Sequence, residues 1–132
     1  MYVALSCAAL AACHGARDEA RALVGAVDRF RQASNDDKPA LADALDKVAC
    51  TDEAVCAAKA ACTKSADATA RGLRLQKEVK AGLQHAEAGA GAVDAHALAD
   101  KWSEAGTQLD EGFKALPDCD GKVEHLRAEY GN

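Results

Sequence analysis

From Ala16 to Ala33 the apolar residues Leu23, Val24, Val27 and Phe30 recur at helical spacing. Asp18 and Glu19 stand in the first turn, where negative charge suits the helix dipole, so the pattern predicts a first helix over 16–33. Ser34 to Lys38 is a polar break, and Pro39 fits the first position of the next helix. Leu41, Leu45 and Val48 then mark a short second helix running to about Cys50. Thr51 or Asp52 suits the N-cap of a third, with Glu53 in its first turn. Val55, Cys62, Ala66, Leu73, Val79 and Leu83 extend that helix along a drifting apolar face to about Ala88, with Gly72 as a candidate bend.

Gly89-Ala90-Gly91 is the clearest breaker in the chain. Asp94 caps a fourth helix whose apolar positions, Leu98, Trp102, Ala105, Leu109, Phe113 and Leu116, step by three or four until Pro117 helps end it. Val123, Leu126 and Tyr130 give a short fifth. No run alternates with period two and no hairpin signal joins strand-like runs, so no sheet is expected. The expected architecture is all-α, a small bundle of about five helices around a long central helical hairpin.

The first 13 residues carry no charge and are followed at once by His14, Gly15 and a charged run. Such a segment is too short to span a hydrocarbon core, which needs roughly 20 apolar residues, and an export signal accounts for it better. Leu10-Ala11-Ala12-Cys13 resembles the lipobox of bacterial lipoprotein precursors: a branched apolar residue and two small ones ahead of a cysteine, at the end of an apolar leader. The resemblance covers residues 1–13 only. It implies that 1–12 are a signal peptide that is removed, that Cys13 carries acyl chains, and that 13–132 form a single domain held at a membrane in the cell envelope, with His14 to about Arg17 as a short tether. His14, where an Asp would favour the inner membrane, leans the expectation toward the outer membrane. Each buried methylene contributes about 0.8 kcal/mol to partition, so two or more chains hold a protein on a bilayer.

Cys13-His14 also ends a haem-attachment pattern, but the other cysteine of C-x-x-C-H would stand at position 10, which is leucine. No haem or other cofactor is implied.

The remaining 120 residues are the size of one domain. One Trp, two Phe and two Tyr serve the whole chain, among many alanines. Alanine favours helix but buries little area, so the helices must pack closely and need further support. All charged residues follow Cys13, and the net charge of −5 disfavours a nucleic-acid partner, which needs clustered cations.

Four cysteines stand outside the leader and the lipobox: Cys50, Cys56, Cys62 and Cys119. Outside the cytoplasm an even set of thiols is oxidised, with three possible pairings. Cys56 and Cys62 lie about 9 Å apart along a helix axis, beyond the roughly 7 Å that a disulfide spans. An antiparallel hairpin centred between residues 90 and 91 sets position 119 opposite 62. Cys62 with Cys119 is therefore the expected cross-link, which leaves Cys50 for Cys56. The longer loop is worth roughly 4 kcal/mol and the shorter about 2 kcal/mol on the chain-entropy model. Zinc and redox motifs favour closer spacings than these.

His96 with Asp100, and His125 with Glu129, offer two metal ligands each, without a third partner, and read as exposed pairs on solvated faces. Asp118, Asp120 and Gly121 are a fragment of a calcium loop lacking its other ligand positions, and read as capping and turn residues. Trp102 reads as core. No G-x-S-x-G elbow surrounds a serine, and no metal site or enzyme activity is expected. The reading is a membrane-anchored envelope lipoprotein whose helical domain displays a face to an unknown envelope protein. The alternative is an exported helical module that binds a small ligand or metal in a cavity lined by Trp102, Phe113 or the histidines.

Overall fold

The computed structural model describes residues 8–131, with side chains from residue 15 onward. Among the described residues there are four helices and no strand: α1 (Ala8–Gln32), α2 (Lys38–Asp46), α3 (Glu53–Glu87) and α4 (Ala95–Tyr130). The Asp94 cap acts where the sequence places it, and of Thr51 and Asp52 it is Asp52 that caps α3. The Asp52 carboxylate accepts from the Val55 amide at 3.1 Å, and the Asp94 carboxylate from the Ala97 amide at 3.0 Å. Gly89 and Gly91, both at positive φ, turn the chain between α3 and α4.

α3 and α4 fold back on each other as an antiparallel hairpin. In α3 the positions 55, 58, 62, 65, 69, 72, 76, 79 and 83 alternate steps of three and four, and in α4 so do 98, 102, 105, 109, 112, 116, 119, 123 and 126. That heptad rhythm keeps one seam of each helix against the other. The register is centred between residues 90 and 91: Cys62 bonds Cys119 with Cα atoms 4.6 Å apart, Gly72 lies against Leu109, and Thr69 against Gly112. On the α3 side the seam from Ala58 to Gly72 is built of small residues, Ala58, Cys62, Ser65, Thr69 and Gly72, so the helices approach closely there. Ser65 Oγ, buried in it, donates to the Gly112 carbonyl at 2.7 Å.

Two expectations are corrected here. Pro117 does not end the fourth helix, and there is no separate fifth: α4 is one helix of 36 residues with the proline inside it. The seam continues in phase through Leu116, Cys119, Val123 and Leu126, and the last two are fully buried. Burial of a Val or Leu contributes about 1.5–3 kcal/mol each, which together with the Cys119 bridge offsets the roughly 3 kcal/mol cost of an internal proline. α3 runs unbroken through Gly72. That glycine is the place where the Leu109 side chain meets the α3 backbone.

α1 buries Ala20, Leu23, Val24, Ala26 and Val27 against the first part of α3 and the last part of α4. It begins at Ala8, so His14 to Arg17, expected as a tether, lie within a helix that the alanine-rich run before it favours. Arg127 bonds Asp28 at 2.8 Å, and Arg31 bonds Asp120, tying α1 to α4. The Glu19 carboxylate accepts from the Thr51 amide at 2.7 Å and from the Thr51 hydroxyl at 2.8 Å. These bonds hold its pKa below the usual carboxylate value.

α2 ends at Asp46, short of the expected Cys50, and the chain leaves it through a turn from Lys47 to Val48. Ala42 packs on Ala66 and Ala70, and Asp43 meets Arg74 at 3.2 Å. The second bridge, Cys50–Cys56, with Cα atoms 5.2 Å apart, fixes the entry into α3. α1 and α2 thus support only the half of the hairpin that carries both disulfides. The other half, from about residue 76 to 102, is two helices thick.

Candidate functional site

Because α1 stops at Gln32, the hairpin face it covers is left open toward the turn at residues 88–94. Position by position, that face continues from the covered half to the open one. On α3 it runs through Ser65, Thr69, Gln76, Lys80 and Leu83, and on α4 through Leu116, Phe113, Leu109, Trp102 and Ala99, all at steps that sum to whole helical turns. Phe30, near the end of α1, closes the covered part. Beyond it lies a groove of about 850 Å³, floored by Val79, Leu83, Leu98 and Trp102 and edged by Ala86, Val93 and Ala95. Lys80 is the one charged residue in its lining.

Trp102 is therefore not a core residue. It is 58% exposed, Leu83 is 52% exposed and Phe113 is 73% exposed. For Trp102 the physical reason is length: α4 carries an apolar stripe along its whole course, but α1 and α2 are too short to cover its beginning. The sequence held a signal for this. Ala86 on α3 and Ala95 and Ala99 on α4 widen the seam positions Val79, Leu83 and Trp102 into a broader apolar face, and among the described helices α1 and α2 both stop short of it.

The other candidate residues stay apart. His96 and Asp100 are exposed, and His125 Nε2 meets Glu129 Oε2 at 3.3 Å on the surface at the opposite end of α4. Asp118 bonds Lys122, and Asp120 is held by Arg31, so both aspartates of the calcium-loop fragment serve cations within or beside a helix. Among the described residues no group of three His, Cys, Asp or Glu side chains gathers as a metal ion needs. Nor, among them, is any helix long and apolar enough to cross a membrane. Phe113 and the histidines do not join Trp102 in its groove. The Cys13 side chain, and with it the lipobox reading, lies outside the described residues, as does Cys7.

The arrangement has apolar area, an open shape and a single cation, with no convergent polar groups that would orient a reacting substrate. Chemically it is suited to burial against another apolar surface. A comparison with protein-family models, curated proteins and solved structures finds no match to this chain.

Proposed function

We propose that the chain is an envelope lipoprotein, anchored through acylated Cys13, whose helical hairpin presents the apolar groove at its far end to a protein partner. The observation that carries the reading is the distribution of apolar surface. Exposed Leu83 and Trp102 gather at the hairpin's turn end, while Glu19 of α1 meets Thr51 beside the start of α3 at the other. The stretch of α3 from Glu53 to Gln76 rises about 35 Å, so an anchor preceding Glu19 stands at least that far from the groove. A contiguous exposed apolar patch of this kind marks an interaction surface in a soluble domain.

The anchor is tested by expressing the chain in a bacterium with an intact lipoprotein pathway and measuring the intact mass from the membrane fraction. A chain beginning at Cys13 with acyl mass added is the expected result. A chain still beginning at Met1 with free Cys13 would overturn it.

A ligand-binding module is the competing reading, and the same groove would have to serve it. An open trough buries only part of a small molecule, and a tight ligand stabilises in proportion to its occupancy. A thermal-shift screen of divalent metals and small apolar ligands is expected to leave the melting temperature unmoved. A saturable rise of several degrees that Trp102→Ala abolishes would favour the ligand module.

A further inference from the structure

We infer that the occupant of the groove is a second copy of this chain, docked face to face and antiparallel, with each hairpin end filling the space beyond the other copy's α1. The inference rests on the display reading and names its partner. Its first support is length. The groove runs from about residue 76 of α3 to the turn at residue 88, roughly 20 Å of helix, which is the length a second hairpin end would fill. A parallel arrangement is blocked, because α1 occupies the same face of the other half and would meet its counterpart.

The second support is self-complementarity. A closed pair related by a two-fold sets each position on α3 against α3 of the other copy, and α4 against α4. With the axis level with the midpoint of residues 82 and 83, the other copy's Ala86 lies over Val79, which is already buried in its own seam. The hairpin register carries that level to the midpoint of residues 98 and 99 on α4, and there Trp102 faces the other copy's Ala95. One axis therefore satisfies both helices, and Leu83 sits almost on it. Large-to-small pairing across facing layers is what lets helices interdigitate.

The third support is charge. Lys80 and Glu87 are seven residues apart, hence on one edge of α3, and their midpoint lies within about 1.5 Å of the same level. The two-fold brings Lys80 of each copy to Glu87 of the other, twice. The two α1 starts then point outward from an assembly about 90 Å long. Lipid anchors at those ends would sit on two separate surfaces, so the dimer would bridge them.

The test uses the full chain with Cys7→Ser and Cys13→Ser, so that no thiol outside the two bridges links copies, followed by sedimentation over a concentration series. A monomer–dimer equilibrium in the micromolar range is expected. Lys80→Glu and Glu87→Lys should each weaken it about tenfold or more, because each places like charges together twice, and the double exchange should return it to within about threefold. Leu83→Cys should form a covalent dimer on mild oxidation. A chain that stays monomeric to about 500 μM overturns the inference, as does a double exchange that fails to recover while the circular dichroism of every variant is unchanged. The measurement needs no lipid, so a missing dimer leaves the anchor reading standing, and a missing acyl group leaves the dimer standing.

Discussion

At Gly112 an added β-carbon would stand 2.5 Å from Thr69 Oγ1 and 3.0 Å from the Ser65 carbonyl oxygen, whereas at Gly106 it would meet nothing within 4 Å. The two positions lie in the same helix, and intrinsic propensity favours Ala over Gly at both by about 1 kcal/mol. Packing reverses the sign at one of them. Gly106→Ala should stabilise by about 0.5–1 kcal/mol, while Gly112→Ala should destabilise by about 1–3 kcal/mol, as overpacked seams do, and urea denaturation measures both. Glu19 gives a residue-scale prediction in pH. Its carboxyl is held below the ordinary value of 4.5 by the Thr51 amide and hydroxyl, so its contribution is present above that value and is lost as pH falls through the lowered one. The melting-temperature gap between wild type and Glu19→Gln should be widest near neutrality and close in acid. A gap that widened in acid would mean the carboxylate is not bonded in the folded state.

α4 and its bridge are where elements decide. Pro117 lacks the amide that would bond the Phe113 carbonyl, and its ring crowds that turn. Since the helix is continuous nonetheless, Pro117→Ala should stabilise by about 1–3 kcal/mol in thermal unfolding. No gain would indicate two helices meeting at a break. The Cys62–Cys119 bond joins α3 and α4 across a sequence separation of 57, and the chain-entropy model assigns it about 4 kcal/mol. Cys119→Ser should therefore lower the melting temperature far more than His96→Ala, an exposed site with no structural partner. Equal effects would mean that the bridge is not structural.

For the whole molecule the division between a supported half and a bare half predicts a gradient of local stability. Amides near Val55–Cys62 and Cys119–Leu126, packed beneath α1, should exchange only through global unfolding. Those flanking the turn, in the two-helix half, should exchange faster through local opening. Hydrogen exchange followed by mass spectrometry reads this directly, and uniform protection along α3 would contradict it. The same division places the exposed Trp102 and Leu83 where a docking partner is needed. Stability and display thus draw on opposite ends of one hairpin.

By itself the sequence determined the class, the cap at Asp94, the cap of α3 to within one residue, the turn at Gly89–Gly91 and the cysteine pairing. Each of these follows from local chemistry or from one register. The heptad steps through Leu116, Cys119 and Val123 also held the continuity of α4, but a proline is a strong local signal, and only the neighbours that bury Val123 and Leu126 show that it is overridden. The exposure of Trp102 was decided by the tertiary structure, although the apolar positions around it were legible in the sequence. An apolar stripe specifies that a surface favours burial, not whether a neighbouring helix is long enough to reach it, and here α1 ends at Gln32 with the stripe running on beyond it.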